Sequence, residues 1–309
     1  MGLRIRTNVQ SLSAQRQMGL TTQEVAKSSE RLSSGNRINR GADDAAGYAI
    51  AENLRADVRA LAQAKRNTND GISLIEVAES GLAEINNIVV RLRELTIQAA
   101  SDTIGSKERG YLNQEFSQLK DEVDRIALST EFNGTRLLTG NAGNIPEDML
   151  ADHNYSPLEI QVGKDYFQLS DSLENPNPTN IIRLDLSKMN AFTEGEDSLN
   201  IGNSRNEEGT RIDTKANAQM AMGRLDAAME RVARYRAELG AKQNRLEKTD
   251  QSIGVAVEAL SSAKSRIKDV DYAAETANMT QQSILQQAGA SVLVQANQQP
   301  QIALKLLQG

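Results

Sequence analysis

The 309-residue chain has no cysteine, no tryptophan, one histidine and five prolines. Without cysteine, disulfides and thiolate metal sites are excluded. Aromatic residues make up only 3% of the chain, so the ring bulk that usually fills a core of this size is missing. Ala, Leu, Gln, Arg and Glu dominate instead, a composition of long helices joined by thin seams. The net charge is −6, with Lys and Arg scattered among the acids, which gives no basic patch for nucleic acid. No apolar run approaches the roughly 20 residues that span a bilayer. The opening Met1-Gly2-Leu3-Arg4-Ile5-Arg6 lacks the apolar core of a Sec-type signal peptide, and Arg6 breaks the myristoylation pattern. These signals predict a cytoplasmic protein, unless it leaves the cell by a route that needs no cleaved signal.

Traces of catalysis are equally scarce. His153 stands alone between Asp152 and Asn154 and reads as a surface residue. There is no His-Glu-x-x-His, and Ala42 stands where a phosphate-binding loop around Gly35 and Gly41 would need Lys. Asp43-Asp44 and the Asp269/Asp271 pair read as helix caps before they read as cation ligands. Asn133-Gly134-Thr135 and Asn278-Met279-Thr280 fit a short glycosylation pattern that recurs by chance. The expectation is a protein with no enzymatic activity, no metal and no cofactor.

What the chain does contain is helical periodicity. Pro146, Pro157, Pro176 and Pro178 crowd one central stretch, and only Pro300 lies outside it. Leu12, Leu20, Val25 and Leu32 mark a dilute first helix, broken at Ser33-Ser34-Gly35 and Gly41. A second helix starts near Asp43 and continues past Gly71 into the seam Ile75, Ala78, Leu82, Ile85, Val89, Leu92, Thr96 and Ala99. Beyond a loop at Gly105, a third helix is predicted on Leu112, Phe116, Leu119, Val123 and Ile126, ended by an Asn133-Gly134 turn. The period then switches to two, with Leu158, Ile160 and Val162 as one strand and Ile182, Leu184 and Leu186 as another, parted by the Asn175–Pro178 loop. Helix resumes near Asp213 as N-cap, with a seam of Met222, Leu225, Met229, Val232, Leu239, Leu246 and Ile253 interrupted by Arg236, Gln243 and Asp250. A last helix carries Leu285, Ala288, Val292 and Ala296 and ends among Ile302, Leu304, Leu306 and Leu307.

The fold class expected is mainly α: an antiparallel long-helix coiled-coil rod with paired terminal helices and a small central β-hairpin element. A spectrin-like or four-helix bundle fits the periodicity too. Residues 1–45 with 266–309 would form one domain of terminal helices, and 46–140 with 206–265 a helical rod. Residues 141–205 would be a small β-containing part of that rod. Apolar stripes running almost to both chain ends predict completion by neighbours, since chain ends ordinarily fray.

These segments also resemble bacterial flagellin. The resemblance lies in Glu30–Gly35, Arg37-Ile38-Asn39, Asp43–Gly47, Asn69–Ser73, Glu84–Asn87, Arg91–Leu95 and Phe132-Asn133-Gly134. It continues in Leu239-Gly240-Ala241, Gln243-Asn244-Arg245, Ile284–Gly289, Gln295-Ala296-Asn297 and Leu306-Leu307. Leu158–Gly163 looks like the hairpin strand of the family's rod domain. The match covers roughly the first 140 and last 100 residues in order. It implies a structural subunit that polymerises into the flagellar filament for swimming motility. Such a subunit is exported unfolded through the flagellar type III channel and ends outside the cell, with no large outer domains in this short chain.

The implied partners are other copies of the chain, a flagellar export chaperone, the filament cap and junction proteins, and Toll-like receptor 5. Polymerisation would use the terminal helices through Leu12, Leu20, Val25, Leu32, Leu285, Ala288, Val292, Ala296, Leu304 and Leu307. The chaperone would bind Ile284, Leu285, Val292, Leu304 and Leu307. Receptor recognition or protomer contact would use Arg91, Leu95 and Glu115, the first two four residues apart on one helix. Departures from the family pattern are Val89 and Val90 at the start of that patch, Arg4 and Arg6, and the final Gln308-Gly309. A hook–filament junction protein and a soluble coiled-coil adaptor are the competing functions.

Overall fold

The computed structural model describes residues 8–140, 157–165, 179–195, 198–202 and 210–308, with 299–308 described for backbone alone. His153 and the Asn175–Pro178 loop lie outside them. The elements are α1 (Val9–Ser34), α2 (Ala45–Ala100), α3 (Ser106–Ser129), β1 (Glu131–Phe132), β2 (Thr135–Arg136), β3 (Leu158–Gln161), β4 (Ile181–Leu184), α4 (Lys215–Lys268) and α5 (Tyr272–Gln308). The chain is thus mainly helical, with two small antiparallel strand pairs among the described residues. It divides into two compact units. One comprises the chain up to Arg59 and from Glu258 onward; the other runs from Ala60 to Val257. Both limits fall inside helices, α2 and α4, and not at the composition breaks.

The unit from Ala60 to Val257 holds the apolar core. Along α2, Leu61, Ala64, Ile75, Ala78, Leu82, Ile85, Val89, Leu92 and Ala99 are buried in three–four alternation, with Thr68 and Thr96 in the same register. Helix α4 answers with Ala218, Ala221, Leu225, Ala228, Val232, Tyr235, Leu239, Leu246 and Ile253. The two run antiparallel, as Arg93–Asp226 (2.7 Å), Arg236–Glu79 (3.4 Å) and Lys65–Asp250 (3.7 Å) show. Met222 and Met229, expected on the α4 seam, are only half-buried. Ala221 and Ala228 occupy the seam instead, one residue earlier in the turn, where small side chains let the backbones approach. The α4 cap is also displaced by one: the hydroxyl of Thr214, not Asp213, accepts the Asn217 N–H at 3.2 Å.

Helix α3 buries Phe116 and Val123 as expected, and with them Ala127 and Lys120. Leu112, Leu119 and Ile126 pack at the margin of the core. Lys120 is 2% exposed and donates to the Thr210 carbonyl at 2.9 Å. Burial pulls its ammonium pKa down to about 8, against the pull of Asp121 and Asp124. Burial pushes the Asp124 carboxyl the other way, up, although it accepts Thr193 N at 2.8 Å and Thr193 Oγ1 at 2.9 Å. With Asn113 Oδ1 accepting Ile212 N, α3 thereby clasps the chain on either side of residues 203–209.

Both hairpins dock on this core. Asn133 and Gly134 have φ of 50° and 78°, the paired left-handed residues that a two-residue turn between β1 and β2 needs. The chain then enters the core through Leu137 and Leu138, both fully buried. Strand β3 pairs with β4 in the register Leu158↔Leu184 and Ile160↔Ile182, the strands the alternation predicts. Gly81 of α2 lies where an added Cβ would meet Thr130 Oγ1 at 2.7 Å and Leu138 Cδ1 at 2.8 Å.

The other unit is built differently. Among the described residues its one large buried apolar side chain is Ile38; Ala51, Ala296 and the polar Ser11, Thr21, Ser28 and Glu275 are also buried. Asp44 accepts Gly47 N at 2.9 Å at the start of α2, and Asp271 accepts Ala273 N and Ala274 N at the start of α5. Asp43 instead closes the turn before α2 by accepting Asn39 N and Arg40 N, bonds that hold its carboxyl below the usual range. The two passages of chain between helices meet through backbone bonds, Arg37 N to Lys268 O (2.7 Å) and Val270 N to Gly35 O (3.0 Å).

Candidate functional site

Helices α1 and α5 form an antiparallel pair whose register is read from five cross-helix interactions. Asn8 Nδ2 donates to Ala296 O (2.8 Å), Ser11 Oγ to Asn297 Oδ1 (2.8 Å) and Gln286 Nε2 to Thr22 Oγ1 (3.0 Å). Arg31 pairs with Glu275 at 3.6 Å, and Tyr272 OH donates to Leu32 O at 3.1 Å. Between them runs a seam at coiled-coil spacing: Ser11, Ala14, Met18, Thr21, Val25, Ser28 and Leu32 on α1. On α5 it is Glu275, Met279, Gln282, Gln286, Gly289, Leu293 and Ala296, and all of these are buried or half-buried.

This seam is not the one that the apolar residues mark out. Leu12 is 53% exposed, Leu20 53%, Leu285 46% and Val292 58%, and Ala288 is exposed as well. Of the expected terminal-helix residues whose side chains are described, only Ala296 is buried, while Val25 and Leu32 are half-buried. Leu304 and Leu307 lie on the α5 backbone, outside the residues whose side chains are described. The physical reason is the frame: Ser11, Thr21 and Gln286 stand one residue from Leu12, Leu20 and Leu285, about 100° round the helix. The larger side chains therefore point away from the partner helix. Tyr272, Thr276, Thr280 and Ile284, with Ala273, Ala277 and Leu285, line an open groove along the outer face of α5. A search for leucines alone misses the seam, but three–four spacing of Ser, Ala, Thr and Gln in both helices is a readable signal for it.

The second expected surface lies on α2 and α3. Arg91 donates to Glu115 Oε1 through Nη2 at 2.9 Å and Nε at 3.2 Å, and to Glu94 at 3.1 Å. Glu115 above all, then Glu94, raises the already high Arg91 pKa, so the guanidinium stays charged. Leu95 does not join them; it is 0% exposed. Helix α2 has both α3 and α4 as neighbours, so its apolar face is wide enough to take in Leu92, Leu95 and Thr96 together. Val89 is likewise buried, which leaves Val90 as the apolar departure on the surface. Among the described residues no group of His, Asp or Glu is placed to hold a metal, and no helix is long and apolar enough to cross a membrane.

Comparison with known proteins gives these surfaces a context. The bacterial flagellin N-terminal helical region matches residues 5–142, and the bacterial flagellin C-terminal helical region matches residues 222–307. Flagellin of Halalkalibacterium halodurans is 39% identical over 303 residues, covering 98% of this chain and 99% of its own. The flagellar filament 33 kDa core protein of Treponema phagedenis is 38% identical with the same coverage. A solved structure described as a flagellar hook-associated protein from Vibrio parahaemolyticus superposes with a TM-score of 0.55. It covers 74% of this chain and 100% of its own at 15% identity, a likeness of fold alone.

Proposed function

The chain belongs to the bacterial flagellin family and is a structural subunit of the flagellar filament, and we propose that it joins the filament by folding its terminal helices against neighbouring copies. The observation that carries this reading is the outward display of Leu12, Leu20, Ile284, Leu285, Val292 and Val294 on a helix pair whose buried seam positions, among the described residues, are Ser11, Thr21, Ser28, Glu275 and Ala296. Contiguous exposed apolar surface on a subunit marks a contact to be made. The free pair buries too little to offset the entropy of ordering two long helices. Folding of α1 and α5 is therefore coupled to polymerisation, and the contacts are head-to-tail, because self-complementary ones would stop at dimers.

Several finer readings extend this one. Residues 1–45 with 266–309 form one domain of terminal helices, and 46–140 with 206–265 a helical domain. Export runs unfolded through the flagellar type III channel, which suits a chain without cysteine. A chaperone shields the α5 stripe beginning at Ile284 and Leu285 before export, and cap and junction proteins meet the filament's ends. Arg91 and Glu115 make protomer contacts first and serve Toll-like receptor 5 recognition second, with Leu95 acting only by supporting the helix from beneath.

Electron microscopy of purified subunits offered short filament seeds tests the central reading. The intact chain is expected to elongate them, and a chain lacking residues 1–45 and 266–309 to leave them unchanged. Long filaments from the trimmed chain would refute it.

A further inference from the structure

We propose that Asn133 is a site of spontaneous covalent modification, where Gly134 N displaces ammonia from the carboxamide and the resulting succinimide hydrolyses to aspartate or isoaspartate. The isoaspartyl product undoes the β1–β2 hairpin.

Asn133-Gly134 is the one Asn-Gly pair in the chain. Ring closure needs the nitrogen after an asparagine to reach Cγ of its side chain, and a side chain on the following residue obstructs that approach. Glycine has none. Both residues are exposed, and a Cβ placed on Gly134 would meet no atom within 4 Å, so a five-membered ring has room to form. Among the described residues, no turn or loop bond engages Gly134 N. The flanking strands are two residues long, and so short a pair opens readily, which frees the turn to reach the reactive geometry. The reaction consumes only water. A bond forms between Gly134 N and Asn133 Cγ, the carboxamide C–N bond breaks and ammonia leaves. One water molecule then opens the ring at either carbonyl.

Asn200 provides the contrast within the same chain. It is exposed, and with φ of 55° it is the one other non-glycine described residue in the left-handed region. Ile201 follows it, however, with a branched side chain that is 0% exposed, and Ile201 N already donates to Thr193 O at 2.9 Å. Its nucleophile is both shielded and engaged. Asn278, in the other sequon-like triplet, lies within α5, where the helix fixes the main chain.

The two products differ in what they do to the fold. Aspartate adds a charge and keeps the main chain as it was. Isoaspartate routes the main chain through Cγ and so adds a methylene to a turn of two residues. The hairpin has no slack to absorb it. Thr130 N is bonded to Ile126 O at 3.0 Å on the way in, and Leu137 N to Thr130 O at 3.1 Å on the way out. Leu137 and Leu138 then anchor the chain in the core. The register Glu131↔Arg136 and Phe132↔Thr135 depends on turn length, so the longer turn breaks the pairing.

Ageing of the full-length subunit at 37 °C and pH 8.5, followed by digestion and mass spectrometry, tests the site. Position 133 is expected to convert to the acid at least tenfold faster than Asn200. At pH 6.5 it should convert at least fivefold more slowly, because the attacking nitrogen must lose its proton. An isoaspartyl carboxyl methyltransferase with S-adenosylmethionine should label the aged natural chain. It should not label aged Asn133→Gly, which keeps a residue suited to the left-handed turn and removes the carboxamide. In the isoaspartyl fraction, hydrogen exchange between residues 130 and 138 should be at least tenfold faster than in fresh chain, with α2 from 75 to 99 unchanged. Asn133→Asp, with the charge but no added methylene, should exchange within twofold of the natural chain. Conversion at position 133 no faster than at Asn200, or an aged chain that accepts no methyl label, would overturn the site. An isoaspartyl fraction with natural exchange, or equally fast exchange in Asn133→Asp, would overturn its effect on the hairpin.

Discussion

Lys120 is an ammonium that the fold takes out of water, and its chemistry gives a signed expectation. Its folded pKa of about 8 lies below the ordinary 10.5. Below pH 8 both folded and unfolded chains hold the proton, and the burial cost is present in full. From pH 8 to 10.5 the unfolded chain binds more protons, so stability should rise with pH, by up to ~3 kcal/mol. Chemical denaturation across that window should show the rise in the natural chain, and Lys120→Met should remove it. Leu95 and Arg91 separate in a similar way. Leu95→Ala should destabilise the folded chain by ~2–5 kcal/mol through the cavity it leaves. Arg91→Asp should leave the melting temperature close to that of the natural chain but abolish receptor signalling. Unaltered signalling by a folded Arg91→Asp protein would remove the receptor reading. Neither Lys120 nor Leu95 could be placed from sequence. A lysine is normally read as solvated, and Leu95 falls outside the single stripe that a two-helix seam requires.

At the scale of elements, legibility followed the size of the buried side chains. The α2 seam from Ile75 to Ala99 stands out because large aliphatics recur every three or four residues, and β3 and β4 because Leu and Ile alternate. Fully buried Ala191, Leu199 and Ile201 had no such pattern, since their segment has no repeating element and is held by bonds such as Asp124 to Thr193. The terminal pair was half legible: two helices and their apolar residues, but not the seam of Ser11, Thr21, Ser28 and Glu275 between them. Packing of the hairpin against α2 supplies a further expectation. Gly81→Ala gains helix propensity, about 1 kcal/mol. It also drives a Cβ into Thr130 and Leu138, and overpacking of that kind costs roughly 1–3 kcal/mol. The balance should be a loss of stability, read as a lower denaturation midpoint; a higher midpoint would mean the hairpin shifts freely. Leu239→Ala, in the α4 seam, should cost ~2–5 kcal/mol by the same measurement.

For the molecule as a whole, the contrast between a well-filled unit and a sparsely filled one predicts two thermal transitions. In dilute solution the unit from Ala60 to Val257 should melt cooperatively and independently of concentration. The terminal helices should contribute helical signal only as filaments form, so their transition should move upward with concentration. Circular dichroism over a hundredfold dilution checks this, and a single concentration-independent melt that includes all the helical signal would contradict it. The family was legible in ordered short segments spread over both ends of the chain. The polar seam between α1 and α5 was not, because outward-facing leucines and inward-facing serines look alike until the frame is known.

The bonds from Arg37 N to Lys268 O and from Val270 N to Gly35 O join stretches that are remote in sequence through main-chain atoms. Main-chain atoms are common to every amino acid, so this knot is nearly blind to mutation at position 270, with one exception. Proline has no hydrogen to give there, and it alone would untie the strand that leads into α5.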